Sequence, residues 1–206
     1  MRAPNRKSGG YTLIELLTVM AIIGVLSLIT VPSFISFQRA GKMKSSLRNF
    51  TMDLRGMRQR AITQNIYTKV VLAPAATETT ASRTYTFWQS ADNGVNWTPL
   101  SMRGGFGGNT TAVIGEGTGN TKQLDKAVFF SAMTGYVNNE LVFRPNGAAG
   151  SMTTATPPQF VLVPFAPSNQ APANTIVLRT LWNVRNNQIT VTLTPTGQIR
   201  TVQTHV

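Results

Sequence analysis

The chain has 206 residues, with 19 lysines and arginines against 7 acidic residues, a formal net charge of +12, no cysteine and one histidine. This length suits one globular domain plus an anchor, and the lack of cysteine excludes disulfides and thiolate metal sites. The acidic residues are scattered singly, and His205 alone cannot supply a metal site or a histidine-dependent nucleophile. The sequence therefore predicts no catalytic residue, metal or cofactor, and we do not expect an enzyme.

Most of the positive charge lies beyond the first ten residues. Without the three basic residues of that stretch, 16 basic side chains remain against 7 acidic ones, a balance of +9. Such a charge favours anionic partners, namely nucleic acid, acidic lipid headgroups or acidic protein surfaces, and charge alone does not choose among them.

A long apolar run over residues 9–37 follows the short basic leader. From Leu13 to Ile29 its only ionisable side chain is Glu15, and the run exceeds the roughly 20 apolar residues that a membrane-crossing helix needs. The basic leader places the start of the chain on the cytoplasmic side. A cleaved secretory signal would have a shorter apolar core of about 7–15 residues. The sequence therefore predicts a single membrane helix over residues 11–32, with the rest of the chain exported.

The start of this run resembles the class III signal of type IV pilins and type II secretion pseudopilins, because Gly10 is followed by Tyr11 and then by Thr-Leu-Ile-Glu. The resemblance implies that a prepilin peptidase removes residues 1–10 and that the new amine of Tyr11 is methylated. The family usually has phenylalanine at this position, and tyrosine keeps the aromatic ring.

The same resemblance implies a location and partners. The protein is expected in the bacterial inner membrane as a single-pass protein, in contact with membrane lipid, with its C-terminal domain in the periplasm. Incorporation into a pilus or pseudopilus then makes other pilins or pseudopilins its partners.

Glu15 matches the glutamate that the family has at the fifth mature position. A carboxylate within hydrocarbon costs about 2.5–3.5 kcal/mol on insertion scales and is normally paired, and the run contains no lysine or arginine. The resemblance implies that the partner is the N-terminal amine of a neighbouring subunit in a helical filament. A buried or interfacial glutamate in an ordinary anchor is the alternative interpretation.

Gly24 and Pro32 also match the family pattern. Proline removes a backbone donor and glycine costs about 1 kcal/mol relative to alanine in a helix, so both are weak points. The implied role is a curved helix that can unwind locally when packed in a filament. A simple bend at Pro32 near the membrane surface fits the sequence equally well.

The helical pattern continues over residues 33–65, where apolar residues recur at spacings of three and four. We expect this apolar stripe to lie against a sheet, and the opposite, basic face to be solvated or to meet neighbouring subunits. The stripe consists of Ala40, Met43, Leu47, Phe50, Leu54, Met57 and Ala61. The basic face consists of Arg39, Lys42, Lys44, Arg48, Arg55, Arg58 and Arg60.

Residues 66–206 change to short β-type runs separated by turn residues, typical of an all-β domain. The sequence therefore predicts an α+β protein with the type IV pilin fold, a long N-terminal helix packed on an antiparallel β-sheet domain. Glycine-rich residues 102–120 and small, polar residues 148–158 are predicted as loops. The predicted strands are Ile66–Leu72, Thr84–Gln89, Ala127–Ser131, Glu140–Arg144, Gln159–Pro164, Thr175–Trp182, Gln188–Leu193 and Gln198–Gln203.

Two motifs resemble the GspH/FimT branch of this family. They are the helix end over residues 53–65, which runs directly into a strand, and the Phe-x-Pro-x-Gly turn over residues 143–147. The branch implies a FimT/FimU-like minor pilin, at or near the pilus tip, that helps to initiate assembly. An H-type minor pseudopilin of type II secretion is the alternative.

The C-terminal tail suggests an alternative of another class, a DNA-binding pilin for natural transformation. In DNA-uptake members of the branch, a Gly-Arg-x-Arg type motif contacts phosphates. Here Gly197, Ile199 and Arg200 match, but Gln198 replaces the first arginine. The possible DNA-binding residues are Arg200, Arg179, Arg185 and Lys122, provided that they cluster. The tryptophans are expected to be core residues rather than stacking platforms.

Overall fold

The computed structural model describes residues 11–100, 121–126, 128–163, 174–180 and 187–205. The chain divides into two compact units, one ending at Gly41 and the other beginning at Lys42. One long helix, α1, spans Leu13–Gln64 and belongs to both units. Every strand lies in the second unit. The predicted glycine-rich loop over residues 102–120 lies outside the described residues.

Helix α1 ends close to the predicted boundary at residue 65. Asn65 adopts a left-handed conformation with φ of 54°, and the N–H of Ile66 donates to the carbonyl of Ala61 at 3.1 Å. A left-handed residue followed by this long backward hydrogen bond is a common helix terminator. Among the described residues, no helix combines the length and the apolar character that a membrane span requires. The membrane role of residues 11–32 stays a prediction.

The described residues form eleven strands in two antiparallel sheets. The larger sheet has the order β3-β2-β1-β6-β7-β8, with β4 also paired to β2, and the smaller has the order β11-β10-β9-β5. The strands are β1 Tyr67–Leu72, β2 Thr84–Ser90, β3 Thr98–Pro99, β4 Thr121–Gln123, β5 Val128–Thr134, β6 Glu140–Phe143, β7 Ala149–Met152, β8 Phe160–Leu162, β9 Thr175–Thr180, β10 Asn187–Leu193 and β11 Ile199–His205.

The apolar stripe of α1 forms the centre of the core. Its members Met43, Phe50, Leu54, Met57 and Ala61 are buried, and Leu47 packs against them. The ring of Phe50 lies 5.2 Å from that of Tyr85 on β2 and 5.0 Å from that of Phe130 on β5, so this part of the helix contacts both sheets. Burial of a large apolar side chain contributes about 1.5–3 kcal/mol. The predicted packing of the stripe on a sheet is therefore confirmed from Met43 onward.

All eight predicted strands correspond to observed strands within a few residues of their bounds. The α+β class, with an N-terminal helix followed by an antiparallel β-sheet domain, is confirmed. The prediction of a loop over residues 148–158 is wrong at its beginning, because β7 occupies Ala149–Met152 between β6 and β8. All four residues of β7 are buried, and its alanine, glycine and serine carry little β-strand signal.

The predicted Phe-x-Pro-x-Gly turn is confirmed, and a second turn follows β2. In the Phe-x-Pro-x-Gly segment, β6 ends at Phe143, and Gly147 has φ of 79° while its N–H donates to the carbonyl of Arg144 at 2.8 Å. At the second turn, Gly94 has φ of 87°. There Asp92 accepts hydrogen bonds from the Ser90 hydroxyl and the Asn96 N–H, which lower the Asp92 pKa to about 2.

Candidate processing and assembly segment

The predicted processing position lies just before the start of α1. Gly10 lies outside the described residues, whereas Tyr11 precedes the helix and is 86% exposed. The carbonyl of Thr12 accepts hydrogen bonds from the N–H of Glu15 at 3.1 Å and of Leu16 at 3.2 Å. The Thr12 hydroxyl also accepts from the N–H of Glu15, at 3.3 Å. Thr12 therefore caps α1, which begins two residues beyond Tyr11.

The sequence carries a signal for this cap, which was not among the predictions above. Thr12 and Glu15 form the Thr-x-x-Glu pattern of a capping box directly before an apolar run, a helix-start signature. The signal fixes the helix start at Leu13 rather than at Tyr11.

Glu15 is the charged side chain of this first helical turn. Its position near the helix N-terminus is favourable by about 0.3–1 kcal/mol, because the helix dipole is positive there. Glu15 is exposed, and no ion pair within the described residues involves it.

Two hydroxyl groups of the same segment bond within the helix. The Thr18 hydroxyl donates to the carbonyl of Glu15 at 2.9 Å, and that of Ser27 donates to the carbonyl of Ile23 at 2.7 Å. Such backbone bonds satisfy a hydroxyl in apolar surroundings. In those surroundings the Glu15 carboxylate would still need a partner.

The rest of this segment presents apolar side chains to its surroundings. Their exposed fractions run from 49% for Val19 to 83% for Leu13. Soluble monomers rarely expose a continuous apolar surface of this kind, which marks a contact with membrane or protein. The exposed side chains between these limits also include Ile14, Leu16, Leu17, Met20, Ile22, Ile23, Val25, Leu26 and Leu28.

The two predicted weak points lie inside α1, and the helix continues through both. A Cβ atom added to Gly24 would meet no described atom within 4 Å beyond its own stretch of helix, so no described close contact requires glycine there. The role of Gly24 and Pro32 as sites of local unwinding stays a prediction.

The basic face of α1 contains exposed residues and residues whose side chains form hydrogen bonds within the chain. Arg58 is half-buried and donates to the carbonyls of Gly147 and Thr196, each at 3.0 Å. The Arg60 guanidinium donates to the side-chain oxygen of Gln64 at 3.0 Å. Arg58 is therefore a structural contact. The exposed members are Lys42, Lys44, Arg48 and Arg55.

The four possible DNA-binding residues do not form one described cluster. Lys122 lies on β4 of the larger sheet, and its ammonium is 2.6 Å from the Asp53 carboxylate. Arg179 and Arg200 are exposed on β9 and β11 of the smaller sheet. Arg185 lies outside the described residues. Lys122 therefore lies on a different sheet from the other two and is paired with Asp53. A DNA contact through Arg200 stays a prediction.

Arg179 and Arg200 share one face of the smaller sheet but stand apart on it. Arg179 lies opposite Gln188 of β10, and Arg200 lies opposite Thr192 of the same strand. Four residues along a strand span about 14 Å, and the two arginines lie on strands separated by β10. Their separation suits contact with an extended anion.

The described part of the chain offers no group of three or more histidine and acidic side chains placed to hold a metal ion. Two tryptophans, Trp88 and Trp97, are half-buried beside the Lys69 ammonium, which lies 4.5 Å from the Trp97 ring centre. Trp182 lies outside the described residues.

Comparisons with known proteins give a family match and a similar relative. Residues 5–31 match the family described as the prokaryotic N-terminal methylation motif. The chain is similar to the type IV major pilin protein PilA of Myxococcus xanthus (strain DK1622), with 47% identity over 45 residues, which are 22% of this chain and 20% of PilA. The chain thus matches about a fifth of the length of that relative. No solved structure matches the chain. The chain carries the N-terminal methylation motif of the type IV pilin class over residues 5–31 and is similar over 45 residues to a type IV pilin.

Proposed function

We propose that this protein is a minor pilin of a type IV pilus. A prepilin peptidase cleaves between Gly10 and Tyr11, and the new amine of Tyr11 is methylated. Residues 11–32 hold the subunit in the inner membrane, with the β-domain in the periplasm, until α1 enters the filament. The subunit acts near the tip, where it helps to initiate assembly.

The observation that carries this proposal is the position of Glu15. Glu15 lies on the first turn of α1, and the large apolar side chains from Leu13 to Leu28 are 49–83% exposed. No described cation pairs with Glu15. In hydrocarbon an unpaired carboxylate costs about 2.5–3.5 kcal/mol. The amine of Tyr11 on a neighbouring subunit would neutralise it, and that pairing would fix the stagger between subunits.

The N-terminal methylation motif over residues 5–31 supports processing at this position. The exposed Tyr11 and the cap at Thr12 support it as well, because the helix begins only at Leu13. A short non-helical stretch ahead of the helix gives a peptidase an accessible backbone.

The experiment compares Glu15→Ala with Leu16→Ala in the full chain, expressed in cells that assemble the pilus. Both changes shorten one exposed side chain of the same helical turn, and only the first removes the charge. We expect leader removal in both variants, measured by mass spectrometry of the processed chain. Incorporation into sheared filaments should fall at least about tenfold for Glu15→Ala only, corresponding to the loss of about 1.4 kcal/mol or more.

Equal incorporation of Glu15→Ala and wild type would contradict the pairing with the amine. Deletion of the gene distinguishes a role in the pilus from a role in the type II secretion apparatus. A minor pilin predicts fewer pili with normal protein secretion, whereas normal piliation with a secretion defect would identify a pseudopilin instead.

A further inference from the structure

Three exposed cations line one side of α1 in the second unit. Lys44, Arg48 and Arg55 are four and seven residues apart, a spacing that places them on one face of a helix. At a rise of 1.5 Å per residue they extend over about 16 Å. The Thr51 side chain lies between them and bonds to the carbonyl of Arg48 at 3.0 Å. We call Lys44, Arg48 and Arg55 the basic stripe.

Within the described residues, the basic stripe has no anion of its own. None of its three side chains takes part in a described ion pair. The one acidic residue between positions 42 and 64 is Asp53, which is buried and lies 2.6 Å from the Lys122 ammonium. The stripe is therefore an exposed row of positive charge that no described acidic side chain neutralises.

Most described carboxylates of a second copy already have a partner within their own chain. Three described carboxylates pair with cations of the same chain, namely Asp53 with Lys122, Glu78 with Arg83 and Glu140 with Lys69. Of the other three, Asp92 accepts hydrogen bonds from Ser90 and Asn96, and Asp125 accepts one from Ser46. The third, Glu15, lies in the segment that we propose for the membrane. Like charges brought together cost several kcal/mol at an interface, so two copies would repel each other through this face.

We propose that the basic stripe docks on an acidic surface of a different pilin subunit. The inference rests on the proposed function, because it names the neighbour that a filament would place against this helix. Complementary charge sets partner choice and orientation more than raw affinity. The stripe would thus favour a mixed assembly, in which this chain contributes single subunits rather than a homopolymer.

The test uses the full chain in the membranes of cells that assemble the pilus. A photo-crosslinking amino acid replaces Gln59, which is exposed one turn beyond Arg55. We expect a crosslink to a different polypeptide, at a peptide rich in aspartate and glutamate. The double variant R48E/R55E should lower the yield about tenfold or more. Changing the contacted acidic residues of the partner to lysine should restore it.

The matched control is R179E/R200E, which alters the net charge by the same amount at two exposed positions of the smaller sheet. Its crosslink yield should stay within about twofold of wild type. Both double variants should melt at the wild-type temperature, because all four arginines are exposed.

The proposal is overturned if the crosslink joins two copies of this chain, if it joins lipid or nucleic acid, or if R48E/R55E leaves the yield unchanged. Leader removal and filament incorporation are measured in the same cells. If the crosslink forms but the protein is not incorporated into filaments, the proposed function is contradicted and the docking of the basic stripe is still supported. If incorporation is normal and R48E/R55E does not change the crosslink yield, only the proposed docking of the basic stripe is contradicted.

Discussion

The ammonium of Lys122 lies 2.6 Å from one carboxylate oxygen of Asp53, joining strand β4 to the buried side of α1. The hydroxyl of Tyr85 donates to the other oxygen at 2.7 Å. The Asp53 and Lys122 side chains are 7% and 16% exposed. The Asp53 carboxylate therefore accepts from both Lys122 and Tyr85 in a largely buried position. These three residues connect α1 to the edge of the larger sheet.

The first prediction concerns Asp53→Ala. The change leaves the Lys122 ammonium and the Tyr85 hydroxyl without their acceptor, and removal of one partner of a buried ion pair costs about 3–5 kcal/mol. We expect a loss of about 3 kcal/mol, because Lys122 keeps some access to water. Urea denaturation of the purified protein measures the change in the free energy of unfolding.

The double variant Asp53→Leu/Lys122→Leu is the control for this prediction. It removes both charges, so it should be more stable than Asp53→Ala even though it carries more changes. A single Asp53→Ala variant with wild-type stability would show that the pair does not contribute to the fold.

The second prediction concerns alkaline pH. Burial raises the pKa of Tyr85 well above its usual value, and the neighbouring Asp53 carboxylate raises it further. Burial also raises the pKa of Tyr136. The unfolded chain releases these protons near pH 10, while the folded chain keeps them. The stabilisation is therefore complete below about pH 10 and is lost as the pH rises above it.

Urea denaturation at several pH values above 10 measures this loss. Each of the two tyrosines should lower the free energy of unfolding by about 1.4 kcal/mol per pH unit in that range. The Tyr85→Phe variant should lose stability less steeply, and Tyr85→Phe/Tyr136→Phe less steeply again. Identical slopes for wild type and Tyr85→Phe would refute the assignment.

The helix and most strands could be predicted because their signals are local. The three-and-four spacing from Met43 to Ala61 predicted the buried face of α1, and alternation predicted strands such as β10. Strands β3 and β4 were missed because each has at most three residues, and only their pairing with β2 makes them strands. Short pairings of this kind depend on the partner strand rather than on composition.

In the candidate site too, local signals could be read from the sequence and contacts between distant residues could not. Gly10, Tyr11 and Glu15 were predicted from adjacent residues, and the cap at Thr12 could have been predicted in the same way. The grouping of Lys122 with Arg179 and Arg200 depended on contacts distant in sequence. Lys122 is 69 positions from Asp53, and a single chain does not reveal such a pairing. Positive charge predicted anionic partners without showing which cations the fold already uses.

The third prediction concerns Gly150 on β7. A Cβ atom there would collide with the carbonyl oxygen of Val161 and lie 2.6 Å from an atom of the Phe160 ring. Gly150→Ala should therefore force β7 and β8 apart and destabilise the domain by about 1–3 kcal/mol, the usual cost of overpacking. Thermal unfolding followed by circular dichroism measures the effect.

Gly56 provides the matched control, because a Cβ atom added there meets nothing within 4 Å and the residue is exposed on α1. Gly56→Ala should stabilise the protein by up to about 1 kcal/mol, since alanine is the better helix former. A Gly150→Ala variant as stable as wild type would show that the two strands can separate without cost.

The last prediction concerns Arg58, which joins α1 to turns from both sheets. Its guanidinium donates to the carbonyl of Gly147, after β6, and to that of Thr196, after β10, each at 3.0 Å. The two turns are also in direct contact, because the N–H of Ala149 donates to the carbonyl of Pro195 at 3.0 Å. Hydrogen bonds to charged groups contribute about 1.5–3 kcal/mol each when buried.

Arg58→Met keeps the aliphatic part of the side chain and removes both hydrogen bonds. We expect a loss of about 2 kcal/mol in the free energy of unfolding, below the sum of two buried bonds because one lies in an exposed position. Arg58→Lys should lie between wild type and Arg58→Met, since a single ammonium cannot reproduce the planar fork. Arg55→Met, on the exposed basic stripe, should change stability by less than about 0.5 kcal/mol. Equal effects at Arg55 and Arg58, measured by urea denaturation, would show that Arg58 does not hold the two turns together.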